Sequence, residues 1–269
     1  MKHNNLIVAA LLATVLIGSS LSAQDSREIN KTVALKADGE LSIDTFKGSI
    51  TVTTWDKPQV DIHATITADD EFGSRYSADK VRDTEIRVDV TDGRVRIKTD
   101  YDNVRDRHDG FWSWFGGNSG SLPLVDYKIT MPRTAALKIK DYKSRSTVAD
   151  LSGSIDLNTY KGDVDIAGVD GSVRLETYKG EARISFVKLA AKSQFQTYKG
   201  DIRVVLPKAA GFDLDADLGY RTDFVSDFEV DIPTSGRHHH DKEFRGAVNG
   251  GGPELVLKCS KGNIQLRQH

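Results

Sequence analysis

The tetrad Thr-Tyr-Lys-Gly stands at 159–162, 177–180 and 197–200, and its ring and its cation are residue types that can hold sugar rings or an acidic polymer. Related corners occur at Thr45-Phe46-Lys47-Gly48, Asp141-Tyr142-Lys143-Ser144 and Cys259-Ser260-Lys261-Gly262. Tyr142, Tyr160, Tyr178 and Tyr198 follow one another at 18, 18 and 20 residues. If the repeats stack, these tyrosines form one outward stripe with Lys143, Lys161, Lys179 and Lys199 beside them. That stripe is the first candidate binding surface. The plainer reading is a stacking ladder that stiffens the protein, each aromatic pair contributing about 0.5–1.5 kcal/mol. The two readings are compatible.

A second candidate lies between residues 100 and 121. The segment is charged, then aromatic (Phe111, Trp112, Trp114, Phe115), then rich in Gly and Ser, and no alternation runs through it. It reads as an insertion loop, and exposed aromatics are typical of recognition hot spots. Folding back over an open end of the structure is the alternative. His238-His239-His240-Asp241 carries imidazoles, but adjacent histidines rarely converge on one ion, so a solvated loop is expected and no metal site is assigned. Glycoside chemistry would need paired carboxylates at a set separation. Asp163, Asp165 and Asp201 instead interleave with Arg and Lys, as solvated strand faces do. No Ser-His-Asp or Cys-His constellation, phosphate loop or dinucleotide fingerprint is present. The expectation is a protein without a catalytic site or cofactor.

What positions the stripe is an alternation of period two. Ile155, Leu157 and Thr159 precede one corner, and Val164 and Ile166 follow it; Val173, Leu175 and Thr177 precede the next, followed by Ala182, Ile184 and Phe186. Such alternation marks strands with one buried face. Each repeat therefore reads as strand, corner at Lys-Gly, strand, second corner. Gly162, Gly180 and Gly200 suit a corner that needs positive φ or close backbone approach. So short a unit cannot bury its own apolar face, so repeats must stack, with like residues above one another. Thr159, Thr177, Thr197 and Cys259 should then share one inward column, which makes the single cysteine a packing residue. The fold expected is all-β: a single-domain parallel β-solenoid (β-helix) with coils of about 18–20 residues and right-handed crossovers. An antiparallel sandwich or barrel would not require near-identical corners at this spacing.

The regular coils are expected over about 124–268, with a less regular N-terminal part acting as a cap. That part includes a hairpin at Asp92-Gly93 between two alternating runs. At the N-terminus, Lys2, the apolar run Leu6 to Ile17 and the small residues up to Ala23 have the layout of a secretory signal peptide, cleaved after Ala23. The 12-residue apolar run is shorter than the roughly 20 residues of a spanning helix, so residues 24–269 carry no expected transmembrane span. The formal net charge of −2, or −3 without Lys2, argues against nucleic acid as a partner. With Cys259 alone, no internal disulfide can form.

The run Tyr127-Lys-Ile-Thr-Met-Pro132, the repeated Gly-x-Val-x-Ile coils, Gly250-Gly-Gly-Pro253 and the closing Lys261-Gly-Asn-Ile264 together resemble the bacterial putative-adhesin domain family. The likeness covers roughly residues 30–268 and is strongest over 124–268. It implies an exported, repetitive β-helical protein and no established reaction, cofactor or ligand. The Tyr-Lys corners and the aromatic insertion depart from the commoner pattern. The function expected is surface contact or polymer binding at the cell envelope, in the periplasm, on the outer surface or secreted. Its partner would be a glycan, an envelope polymer or another surface protein. A polysaccharide-active enzyme and a purely structural spacer are the alternatives.

Overall fold

Alternating β-branched and aliphatic residues give strands through most of the chain. The computed structural model describes residues 26–69, 77–104, 121–230 and 242–269. The expected signal peptide 1–23, the loop residues Phe111, Trp112, Trp114 and Phe115, and His238 to Asp241 lie outside the described residues. In chain order the strands are β1 (Ser26–Ala34), β2 (Glu40–Asp44), β3 (Lys47–Trp55), β4 (Gln59–Thr67), β5 (Glu85–Thr91), β6 (Arg94–Asp100), β7 (Leu124–Pro132) and β8 (Ala136–Asp141). They continue with β9 (Lys143–Ala149), β10 (Ile155–Thr159), β11 (Val164–Val169), β12 (Val173–Phe186), β13 (Ser193–Leu206), β14 (Phe212–Ser226), β15 (Lys242–Val248) and β16 (Glu254–Gln268). A short helix, α1 (Ser77–Asp83), precedes β5.

Successive repeats pair in parallel and in register. Before the corner, Ile97, Ile43, Ile139, Leu157, Leu175, Phe195, Leu257 and Ala216 lie one above another, from β6 through to β14. Beyond the corner the matching column is Ile129, Val52, Val148, Ile166, Ile184, Val204 and Leu266. Every member of both columns is buried. Each of these side chains except Ala216 contributes about 1.5–3 kcal/mol of burial free energy, and together they form one continuous core.

The expectation of a parallel solenoid holds for the repeats and is corrected at the ends, where strand orientation is mixed. β1 with β4, β4 with β7, β5 with β6, and β14 with β15 pair antiparallel. These strands lie at the two ends of the stack, where a parallel coil would leave an unpaired edge open to another chain. The Asp92-Gly93 hairpin joins β5 to β6 as expected, with Gly93 at φ 73°. Two further departures concern order. Residues 40–55, expected in an irregular cap, stack directly on β8 and β9. At the other end β16 slots between β13 and β14, so the last strand in sequence is not the last in space.

The Thr-Tyr-Lys-Gly corners use glycine for two reasons. Gly180 has φ +149°, and a Cβ at Gly200 would meet the Gly180 carbonyl oxygen at 2.1 Å. Backbones of adjacent coils touch there, and only a residue without a side chain lets them.

Candidate functional site

The inside–outside rhythm of β12 is interrupted only at its corner: Thr177 is buried, Tyr178 and Lys179 are exposed, and the alternation resumes with Ala182 buried. β13 repeats the pattern with Thr197, Tyr198, Lys199 and Ile202. Parallel register then brings the tyrosines into one column. Neighbouring rings are stacked, at 4.9 Å for Tyr142–Tyr160, 4.7 Å for Tyr160–Tyr178 and 4.9 Å for Tyr178–Tyr198. Their planes lie within 16° of parallel. The separations equal the strand spacing of about 4.8 Å, so the backbone ladder itself sets the stacking distance. Lys143, Lys161 and Lys179 donate their backbone N–H groups to the carbonyls of Phe46, Tyr142 and Tyr160 at 2.8–3.0 Å, which fixes each corner on the one below.

Phe46 was visible as part of a corner variant, but its role was not. It stacks on Tyr142 at 4.7 Å and 4°, as a fifth ring across 96 positions of sequence. Tyr101 packs edge-on against Phe46, at 6.4 Å and 75°, and closes that end of the ladder. The stack changes what the tyrosines can offer a ligand. Ring faces between neighbours are already used, so the stripe presents ring edges and phenolic oxygens. The only ladder face free of a neighbouring ring among the described residues belongs to Tyr198.

The lysines form a second column beside the rings. Lys47 pairs with Lys143, Lys179 with Lys199, Lys199 with Lys261, and Lys261 with Arg221 in register. Lys47 is buried against Asp69 and Ser121 and belongs to the interior. Lys143, Lys161, Lys179 and Lys199 are exposed and make no ion pair among the described residues. Lys161 reaches over the Tyr160 ring at 5.3 Å and Lys261 over the Tyr198 ring at 5.8 Å. A groove of about 780 Å³ runs along the ladder, bordered by Asn158, Glu176, Gln196, Lys258 and Asp217.

Beneath the rings lies a buried polar column. Thr159, Thr177, Thr197 and Cys259 are 2–6% exposed and point inward, as the alternation required. Burial pushes the Cys259 thiol up from its ordinary value, which makes it a poor nucleophile. At the Tyr142 corner Asp141 stands in place of threonine. Its Oδ1 accepts hydrogen bonds from the Ser144 N–H and the Thr159 hydroxyl, both at 2.9 Å, while its Oδ2 is buried without a partner. Burial pushes this carboxyl up to about 6.

The outward carboxylates on the far side of the corner are engaged with backbone. Asp163 accepts from the Glu181 N–H at 3.1 Å, and Asp201 accepts from the Asn263 N–H at 2.8 Å. They fasten one coil to the next. Among the described residues no three His, Cys, Asp or Glu side chains are placed to hold a metal ion.

Comparison with known proteins bears on the fold. The family model described as Toastrack DUF4097 matches residues 134–267. A crystal structure of a putative cell adhesion protein from Clostridium sporogenes superposes with a TM-score of 0.51 at 13% identity, covering 91% of this chain and all of its own. A putative adhesin from Bacteroides fragilis superposes with a TM-score of 0.38 at 12% identity, over 90% of this chain and 97% of its own. At these identities the first likeness shows the fold alone. No curated protein matches the chain.

Proposed function

The chain belongs, through residues 134–267, to the Toastrack DUF4097 family, and from that premise we propose a non-enzymatic, adhesin-like contact protein of the cell envelope that holds an acidic polymer along its tyrosine–lysine ridge. In this reading residues 1–23 are a signal peptide, and residues 24–269 form one right-handed β-solenoid domain with antiparallel ends. The protein then works in the periplasm, on the outer surface or after secretion. The Clostridium sporogenes protein of similar fold is described as a putative cell adhesion protein, which fits this reading.

One observation carries it. Lys143, Lys161, Lys179 and Lys199 stand a single coil apart in parallel register, each next to a stacked tyrosine and free of ion pairs among the described residues. Their backbones lie about 4.8 Å apart, so like charges crowd one ridge of the surface and repel one another. Among the described residues only the Lys161 ammonium over the Tyr160 ring offsets this within the protein, and a linear polyanion with closely spaced negative groups relieves the repulsion. The tyrosine edges and hydroxyls alongside add hydrogen bonds to sugar hydroxyls.

Binding of residues 24–269 to immobilised polygalacturonate and to uncharged dextran tests the proposal. The acidic polymer should be retained, release should steepen with salt, and replacing Lys161, Lys179 and Lys199 together by Gln should weaken retention at least tenfold. Equal retention of both polymers, or indifference to the triple change, refutes it. A second reading has its own support: the inner ring faces are used in internal stacking, as a structural spacer would need. Failure to retain any anionic polymer would favour that spacer.

A further inference from the structure

The aromatic ladder is finished at one end and open at the other. Tyr101 seals it beyond Phe46, whereas beyond Tyr198 the next two coils supply Ser260 and then Gly219. The register fixes this: Thr197 pairs with Cys259 and Lys199 with Lys261, which sets Tyr198 against Ser260. Leu218 pairs with Cys259 and Arg221 with Lys261, leaving Gly219 and Tyr220 opposite that one serine as a bulge. Two steps of the stack, about 9–10 Å, therefore hold no side chain larger than a hydroxymethyl group. Tyr220 is displaced to the side by the bulge and is 67% exposed, against 46% for Tyr198. The same groove is lined by Tyr198, Ser260, Tyr220 and Lys261.

We infer that the open face of Tyr198, above Ser260 and Gly219 and beside Tyr220, is a subsite for one hexuronic acid ring of an acidic polysaccharide. The inference rests on the polymer-binding reading above and gives it a position and a sugar class. The C–H face of a pyranose ring is weakly positive and matches the negative face of a tyrosine, at the 4.5–7 Å separations at which rings stack. Charge selects the acid. The Lys261 ammonium sits 5.8 Å from the Tyr198 centroid and the Arg221 guanidinium 5.1 Å from the Tyr220 centroid, so cations border the slot on two coils. Lys258 lines the same groove, against the carboxylates of Asp217 and, farther along it, Glu176. A ring carboxylate can replace the aromatic face as the partner of Lys261.

The test uses residues 24–269, calorimetric titration with trigalacturonate, and retention on polygalacturonate. Ser260→Tyr would carry the ladder through the slot. The expected result is a melting temperature equal to or above wild type together with at least tenfold weaker trigalacturonate binding, while Ser260→Ala binds within twofold of wild type. Tyr220→Ala, at an exposed position, serves as a second probe should Ser260→Tyr not fold, with at least threefold weaker binding expected. If a folded Ser260→Tyr binds the trimer as wild type does, or Tyr220→Ala does so where Ser260→Tyr fails to fold, the subsite is refuted. Retention of polygalacturonate through the lysine column would then leave the ridge reading standing. If neither ligand binds wild type, both readings fall.

Discussion

Replacing Asp141 by Asn should remove a pH dependence of stability worth about 3 kcal/mol. The carboxyl titrates at about 6 in the folded protein against 3.8 when unperturbed, and each unit of that gap corresponds to about 1.36 kcal/mol. The side chain is 7% exposed, so solvent does little to screen the effect. The sign follows from proton counting. Between pH 3.8 and about 6 the folded chain keeps a proton that the unfolded chain has released, so stability falls as pH rises through this window. Above it both states are ionised and the folded state carries the whole penalty of the buried charge. Asn at this position keeps the Oδ1 acceptor for Ser144 and Thr159 but cannot ionise. The stability difference between variant and wild type, from urea unfolding followed by circular dichroism, should therefore shift towards the variant by about 2.4 kcal/mol from pH 4 to pH 7.5, the rest of the change lying below pH 4. Parallel stability curves for the two proteins across this range would refute the assignment of the buried charge to Asp141.

Tyr178→Leu removes two stacked contacts, at 4.7 and 4.9 Å, and should lower stability by about 1–3 kcal/mol in urea unfolding; Tyr220→Leu, outside the ladder, should change it by less than about 0.5 kcal/mol. Gly200→Ala sets a Cβ 2.1 Å from the Gly180 carbonyl oxygen and should cost about 3 kcal/mol. Gly93→Asn is a contrasting case, since the hairpin position has φ +73° with open space around it; thermal melts should show a change under about 1 kcal/mol, because Asn tolerates that conformation. Cys259, 3% exposed with its thiol pushed up by burial, should react with a thiol reagent at pH 8 only at the rate of unfolding; prompt labelling of the native protein would contradict its inward placement.

The corners and the alternation around them were legible in the chain. The spacing of 18, 18 and 20 residues is a geometric statement: a strand–corner–strand unit of fixed length returns like residues to like positions. Period-two alternation then separates inward Thr from outward Tyr, because successive side chains on a strand must take opposite faces. The inward placement of Cys259 followed from the same argument. The outward column of tyrosines followed too, without any knowledge of which coil lies against which.

The order of stacking was decided only in three dimensions. One alternating strand presents the same N–H and C=O edge to any other, so the pattern cannot say that β3 lies against β9, 96 positions from Phe46 to Tyr142, or that β16 enters between β13 and β14. Those choices belong to the ends of the stack, where antiparallel strands must cover edges that a further coil would otherwise satisfy. They also set what the ladder can do. Because Phe46 and Tyr101 complete one end, while Ser260 and the bulge at Gly219 interrupt the other, a run of near-identical tyrosines has, among the described residues, a single ring face without a neighbouring ring, at Tyr198. The repeat alone makes every rung equivalent; only the neighbours supplied by distant segments make them differ.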